Sequence, residues 1–297
     1  MHTRCIYPAT ALVRLGWVAR TPLAQTSVRD ALDSALIALT AAGCDTPRLD
    51  AELLLADAMG VDRAVIVSDP GRGLSPDQAR TFQTYAMRRA QREPVAYILG
   101  TKGFRTIELL VDRRVLIPRP ETEHLVEAAL DLPQGARVAD VGTGSGAVAL
   151  ALKAERPDLE VVATDASADA LDVARANARR LGLELELLEG DLLGPVEGPL
   201  DAVLSNPPYV ADADRGTLAP DITRHEPQVA LYAGEDGLSL IRRLAPQAAA
   251  SGAALLGLEV GFGQAGAVAG IVRAAGFVET HAIADLAGIE RVVVGRR

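Results

Sequence analysis

The residues best suited to chemistry are consecutive: Asn206, Pro207, Pro208 and Tyr209. A planar amino group carries two N–H donors. The Asn206 side-chain oxygen and the Pro207 backbone oxygen could each accept one of them. Accepting both draws the nitrogen out of conjugation with its carbonyl or ring and aims its lone pair at an electrophile. Tyr209 offers a face that could stack on the same planar group. Such catalysis is orientation plus electrostatics and needs no strong general base. A carboxamide and the amino group of adenine both satisfy the count of donors. A rigid turn plugged by an ordinary aromatic ring is the alternative reading of the same four residues.

The motif follows the apolar run 200–204, which reads as a buried strand. Two prolines cannot continue a sheet, so the chain leaves the strand in a stiff turn. The turn therefore stands at the carboxyl edge of a sheet, where open α/β sheets bind ligands. Upstream, a strand over 137–141 runs into Gly142-Thr143-Gly144-Ser145-Gly146 and a helix over 147–155. Glycines let the backbone turn tightly and approach a ligand. The next strand, 159–163, ends in Thr164-Asp165, and an acid at that spacing is placed to accept from ribose hydroxyls. A third strand, 185–189, leads to Asp191 and Leu192, whose carboxylate and backbone N–H suit an exocyclic amine and a ring nitrogen. The glycine pattern is GxGxG rather than GxGxxG, which tilts away from a dinucleotide. No nucleophile–base pair, metal-ligand cluster or nicotinamide-specific element is evident. A cofactor that brings its own reactive group then fits best, and S-adenosylmethionine joins an adenosine handle to an electrophilic methyl sulfonium.

The remaining elements frame this site. Residues 27–93 read as a small helical bundle: Ser27 starts a helix, Thr46-Pro47 a second, and Ser75-Pro76-Asp77-Gln78 is a capping box for a longer one. Its Arg88-Arg89-Arg92 cluster reads as a solvated helix face, with contact to an acidic partner as the alternative. Strands over 104–111 and 115–117 are expected around a turn at Asp112-Arg113-Arg114. Arg119 and Glu121 read either as a salt-bridged surface turn or as lining of the site entrance. Residues 212–224 read as a polar loop or lid. A helix over 238–250, a strand over 253–260, a helix over 266–275 and a closing antiparallel pair complete the alternation. The fold class is α/β: a seven-stranded doubly wound Rossmann-like sheet with a small N-terminal helical bundle and a β-hairpin linker. The expected organisation is an extension over 1–26, a helical domain over 27–98, a hairpin linker over 99–120 and the sheet domain over 121–297.

The chain is acidic, with a formal charge of -9, so a nucleic-acid partner would need a local basic patch. Cys5 and Cys44 form no CxxC motif and no disulfide framework, which fits a reducing compartment. No apolar run approaches a membrane span. The first 26 residues hold Arg4, Arg14 and Arg20 and no acid, a bias shared by organellar transit peptides and by a start codon placed too early. An extension without function is the favoured reading, and the bacterial cytoplasm is favoured over an organelle.

Residues 134–297 resemble class I S-adenosylmethionine-dependent methyltransferases. From about residue 27 onward the chain resembles the HemK/PrmC family, the methyltransferases of class I peptide-chain release factors. The resemblance is carried by residues 94–100 (Pro-Val-Ala-Tyr-Ile-Leu-Gly), 116–123 (Leu-Ile-Pro-Arg-Pro-Glu-Thr-Glu), 140–146, 205–209 and 234–238. It implies methylation of the side-chain amide of the glutamine in a Gly-Gly-Gln motif. It implies that Gly142, Thr143, Gly144, Ser145, Gly146 and Asp165 hold the cofactor, with Asp191 and Leu192 at the adenine and Asn206 beside the methyl donor. Asn206, Pro207, Pro208 and Tyr209 would surround the substrate glutamine, with Asn206, Pro207 and Tyr209 as the catalytic set. No metal is implied. The helical domain becomes a docking surface for the release factor, and the protein is expected to be a monomer with no direct nucleic-acid partner. Arg105 stands where the family often has an aromatic residue, and reads as a linker-surface change. A sister family acting on a ribosomal-protein glutamine shares the Asn-Pro-Pro-Tyr motif; residues 119–123 favour the release-factor branch. An adenine methyltransferase, which would need a basic target-recognition domain, and a binding module without catalysis remain as competitors.

Overall fold

The computed structural model describes residues 26–297, so the extension expected over 1–26 lies, but for its last residue, outside the described residues. Two units divide between Ala86 and Met87. The first contains α1 (Val28–Ala41), α2 (Pro47–Met59), α3 (Arg63–Ser68) and most of α4 (Pro76–Ala90). Ser27 and Asp30 form a full capping box at the start of α1, and Ser75 and Gln78 exchange the same pair of bonds at the start of α4. Thr46 does not cap α2; its hydroxyl donates to Asp50 at 2.8 Å. Leu32, Leu39, Leu54, Leu55, Ile66 and Phe82 form the apolar interior of this unit.

The second unit opens with α5 (Val95–Leu99), a five-residue helix begun after Pro94 and closed by Gly100 in the left-handed conformation. A two-stranded ribbon follows, β1 (Thr101–Phe104) and β2 (Ile107–Leu110). The hairpin thus turns at Arg105-Thr106, not at residues 112–114 as expected. Phe104 pairs with Ile107, and Arg105 takes a φ of 48° between them. That conformation is unfavourable for an L-residue other than glycine and is held by the surroundings. The Arg105 N–H donates to Glu123 at 3.0 Å, and its guanidinium pairs with Glu155 and Glu127. With 15% of its side chain exposed, Arg105 is an anchored ion-pair hub, which corrects the reading of a surface change.

The sheet elements then alternate: α6 (Glu123–Ala129), β3 (Arg137–Val141), α7 (Ala147–Glu155), β4 (Glu160–Asp165), α8 (Ala168–Leu181), β5 (Glu186–Glu189), β6 (Ala202–Ser205), α9 (Pro220–His225), α10 (Ser239–Ala250), β7 (Leu255–Glu259), α11 (Ala265–Ala274), β8 (Glu279–Ala284) and β9 (Glu290–Arg296). The strand order is β5-β4-β3-β6-β7-β9-β8, parallel except for β9, which inserts antiparallel between β7 and β8. The order reverses between β3 and β6, which opens a crevice at their carboxyl ends. The seven-stranded doubly wound sheet is therefore the one expected.

Both faces of the sheet are covered, which is why its strands read as near-continuous apolar runs. Val138, Leu204, Leu255 and Val294 pack towards α6 and α7, whereas Val141, Val203, Leu256 and Val293 pack towards α10 and α11. Successive residues thus serve opposite layers, the period of two that a pleated strand imposes. The segment expected as a loop over 212–224 contains a 3-10 turn at Asp212–Gly216 and α9. Pro220 at the first position of α9 carried that signal.

Asn177 on α8 ties the ribbon to the glycine loop. It is fully buried, accepts from the Leu110 N–H at 2.6 Å, and donates to the carbonyls of Leu110 and Ser145 at 3.0 and 2.9 Å. Asn177→Leu keeps the volume but strands three backbone groups. We expect a stability loss of about 2–3 kcal/mol, read from the urea midpoint of this unit's unfolding.

Candidate active site

A cavity of about 240 Å³ lies at the carboxyl edge of the sheet. Its floor is the glycine turn after β3, which begins with two backbone donors, the N–H groups of Gly142 and Thr143, sharing the Thr164 carbonyl at 2.9 and 3.0 Å. Gly142, Gly144 and Gly146 have φ values of 73°, 57° and 84°, a left-handed run that L side chains resist. At Gly146 a Cβ would also meet the Leu150 side chain at 2.9 Å. Below the turn, Asp140 is buried and accepts from the Thr143 hydroxyl at 2.6 Å and from the Ala149 N–H at 3.2 Å. Burial pushes its carboxyl up to about 6, against the pull of those two donors. Asp140 thus serves as an internal brace between strand, turn and helix.

Asp165 ends β4. One carboxylate oxygen accepts from Gly144 N–H and the other from Ser167 N–H, both at 2.9 Å. Each oxygen keeps lone-pair capacity for a further donor. Beyond β5, Asp191 is exposed and paired with Arg243, and Leu192 is buried with a φ of 52°. A leucine in that region costs about 1–2 kcal/mol. The strain is held by the Leu192 carbonyl, which accepts from the buried Thr164 hydroxyl at 2.9 Å. Strain of this sort concentrates where a backbone group must face a ligand.

The opposite wall is the turn after β6. Ser205 donates to the Val141 carbonyl at 2.7 Å, which pins the end of β6 to the end of β3. Asn206, Pro207 and Pro208 line the cavity, as does Thr122. The Asn206 Nδ2 donates to Thr122 Oγ1 at 3.1 Å, and Thr122 Oγ1 donates to Glu259 Oε2 at 2.6 Å. Thr122 and Glu259 are 4% and 2% exposed. One N–H of the Asn206 amide is thereby committed to Thr122, and the carbonyl oxygen stands at the other end of the amide.

The cavity brings together Gly142, Thr143, Gly144, Ser145, Asp165, Asp191, Leu192, Asn206, Pro207 and Pro208. Gly146 and Tyr209 do not line it. Tyr209 lies against Gly261, where a Cβ would come within 3.1 Å of its ring, and its carbonyl accepts from Gln264 Nε2 at 2.9 Å. Burial and the Glu259 carboxyl push the Tyr209 phenol up, so it stays protonated at neutral pH. Tyr209 is half-buried and stands outside the cavity lining, with its backbone carbonyl held by Gln264.

Several contributors were not anticipated. Thr122, expected only as a helix start, makes no capping bond and turns to Glu259 instead. Arg119 pairs with Glu226, not with Glu121, so the two do not form a salt-bridged turn; Pro118 and Thr122 on either side of them line the cavity. Glu226 also accepts from the Ile117 N–H at 3.4 Å and is buried, so it fastens residues 117–119 to the segment after α9. Asp221 of α9 pairs with Arg89 and Arg92, whose side chains are only 5% and 10% exposed. Arg89 and Arg92 are therefore internal ion-pair partners of α9 and not a solvated face, while Arg88 is more exposed and pairs with Glu93. Pro227, Val229 and Ala230 of the segment after α9 line the cavity.

The doubly wound sheet and the cavity over its switch point define a Rossmann-like methyltransferase domain. Residues 30–100 match the PrmC N-terminal domain and residues 121–234 the methyltransferase small domain. A release factor glutamine methyltransferase of Deinococcus radiodurans is 44% identical over 277 residues, 91% of this chain and 98% of that protein. Another from Caulobacter vibrioides is 44% identical over 86% of this chain and 91% of that protein. The chain belongs to the release factor glutamine methyltransferase family. Among solved structures, the hMettl16 catalytic domain superposes with a TM-score of 0.53 at 15% identity, covering 76% of this chain and 84% of that one, a likeness of fold alone.

Gly237, from the 234–238 stretch, explains a further part of the pattern. Its φ is 75°, and a Cβ there would overlap the Tyr209 carbonyl oxygen. Backbone cannot yield as a flexible side chain can. Gly237→Ala should therefore displace the turn and lower kcat on the order of 100-fold, the cost of misplacing a reacting group by about 1 Å. Steady-state kinetics beside an unaltered cofactor Kd would check it.

Proposed function

We propose that this chain transfers a methyl group from S-adenosylmethionine to the side-chain amide nitrogen of the glutamine in the Gly-Gly-Gln motif of class I peptide-chain release factors. Membership of the family supports the substrate. The observation that carries the chemistry is the Asn206 amide, with its nitrogen bound to Thr122 and its oxygen left beside the cavity. The residues suit the cofactor: a carboxylate ends β4 for ribose hydroxyls, and Asp191 and the strained Leu192 backbone stand where an adenine edge would be read. When bound, S-adenosylmethionine supplies an electrophilic methyl group.

In this reading Gly142, Thr143, Gly144 and Ser145 face the cofactor, and Gly146 sets the turn without touching it. Asn206 Oδ1 and the Pro207 carbonyl accept the two N–H bonds of the glutamine amide. The amide plane is then fixed, and the nitrogen lone pair is directed across the cavity. Pro207 and Pro208 keep the acceptors from following the substrate, and Tyr209 holds the turn through Gln264. The phenol, kept protonated by burial, is no base. Orientation and hydrogen bonding perform the step, and the proton that the methyl group replaces on nitrogen leaves to water.

Residues 27–98 act as the docking domain for the release factor, 99–120 as the linker and 121–297 as the catalytic domain. The match of residues 30–100 to a PrmC N-terminal domain supports that assignment. The enzyme works as a monomer in the bacterial cytoplasm, without metal and without direct nucleic-acid contact. No helix among the described residues is long and apolar enough to cross a membrane, and the acid excess disfavours a polyanion.

Incubation with labelled S-adenosylmethionine, a class I release factor, a ribosomal-protein target and duplex DNA tests the assignment. Label should reach only the glutamine of the Gly-Gly-Gln peptide, mapped by mass spectrometry; label on the DNA alone would overturn it. Asn206→Ala should lower kcat on the order of 100- to 1000-fold, as expected for loss of one preorganised hydrogen-bonding group. Calorimetry should find cofactor affinity within about 3-fold of the parent, since the change falls on the acceptor wall.

A further inference from the structure

We propose that Thr122 and Glu259 are positioning residues that set which end of the Asn206 amide meets the substrate. The inference rests on the reading of Asn206 Oδ1 as an acceptor for the substrate N–H, and it deepens that reading. A threonine hydroxyl has one proton and two lone pairs. An ionised carboxylate only accepts, so at 2.6 Å the Thr122 proton is given to Glu259. Thr122 then offers Asn206 nothing but a lone pair. The Asn206 amide can meet it only with Nδ2–H, at the observed 3.1 Å. The flipped amide would set oxygen against oxygen in a buried place where water does not compensate. A carboxylate that touches no substrate thus determines that Asn206 presents an acceptor.

The three members come from separate elements. Glu259 ends β7, Asn206 follows β6, and Thr122 closes the turn before α6. Each approaches the same strand edge, and mutual hydrogen bonding holds Thr122 and Glu259 within the interior. The groups around Glu259 are Glu121 and Arg119 on the turn segment, Arg291 on β9 and Tyr209 after β6. Arg291 is itself engaged by Asp285 at 2.9 Å, and Arg119 by Glu226. Their attraction therefore offsets the desolvation of Glu259 only in part.

That balance gives the relay a pH signature. Burial, together with Glu121, pushes the Glu259 carboxyl up to about 7, while the Thr122 bond and the two arginines pull it down. Above that value the carboxylate accepts and the relay has the stated polarity. As pH falls through it, the protonated carboxyl can donate to Thr122 Oγ1. The Thr122 proton is then released to turn towards Asn206, and the amide can flip to present N–H groups to substrate N–H groups. The acid limb of kcat should accordingly lie near pH 7, with activity on its alkaline side.

Thr122→Val, Thr122→Ser and Glu259→Gln test the relay on the full chain with release factor and labelled cofactor. Thr122→Val keeps the shape and removes the hydroxyl. It should lower kcat on the order of 100-fold while the cofactor Kd is unchanged. Thr122→Ser should restore most of the rate. Glu259→Gln, whose amide can donate or accept, should lose roughly 10-fold in kcat and should lose the acid limb. Full turnover by Thr122→Val, or an acid limb retained in Glu259→Gln, would overturn the relay. If Thr122→Val does not fold, the pH profile of Glu259→Gln and the rate of Thr122→Ser decide. Asn206→Ala separates the two levels. Its full activity overturns the acceptor reading together with the relay, whereas an inactive Asn206→Ala beside a fully active Thr122→Val overturns the relay alone.

Discussion

The bond from Asn206 to Thr122 joins parts of the chain that are otherwise remote, and it ties the cavity wall after β6 to the turn before α6. The two residues are 84 positions apart, and the next link, from Thr122 to Glu259, spans 137. A side-chain amide at the end of a strand has no intrinsic preference for which of its ends faces a cavity. Rotation about its terminal torsion exchanges donor for acceptor with little change in shape. Selectivity for an N–H guest must therefore come from outside the residue. Here it comes from a hydroxyl whose single proton is already used, which makes the surrounding burial as much a part of the site as the asparagine.

Burial on that scale has a cost, which explains the other polar groups nearby. A buried carboxylate without partners is costly, and one with a well-placed donor is tolerated. Glu226 meets Arg119 and the Ile117 N–H, Asp221 meets Arg89 and Arg92, and Asp140 meets Thr143 and Ala149. The Glu226 and Asp221 pairs join segments that local sequence leaves unrelated, whereas Asp140 ties a strand to the turn and helix that follow it. Hydrophobic clusters below the sheet edge would hold the layers together in many registers, since apolar contact is non-directional. Directional bonds to buried charges define one arrangement of the lid segment and the turn.

How far the sequence speaks follows from the range of each cause. Strands β3, β4, β6, β7 and β9 were legible because strands covered on both faces need unbroken apolar runs, and α8 had a serine cap and a glycine stop. The glycine turn and Asp165 were legible because their spacing is local. The ribbon turn was misplaced because Asp112-Arg113-Arg114 has the composition of a turn. The actual turn takes an unfavourable φ at Arg105 that is supported from Glu123, Glu127 and Glu155. Thr122 and Arg119 were read by their neighbours in sequence, and both found partners more than 100 residues away. One signal was present and unused. Glu259 is a lone acid ending an apolar strand, the pattern that singled out Asp165, and it stands at the same sheet edge.

The different duties of these two strand-end acids show how one edge can serve both ends of a cavity. Asp165 is half-buried, and backbone N–H groups occupy only one lone pair on each of its oxygens. A donor entering the cavity can still reach it, so it suits direct contact with hydroxyls. Glu259 is almost wholly enclosed and faces a single hydroxyl, so its charge is spent on orienting Thr122. Exposure of the same carboxylate to the guest would be harmful at that end. It would accept an amide proton itself and place a full negative charge beside a nitrogen that must act as a nucleophile. Interposing a threonine and an asparagine converts that charge into a neutral acceptor of fixed direction. The acceptor wall can thus be strongly polarised while remaining without a general base, the condition under which positioning alone can bring an amide nitrogen to react.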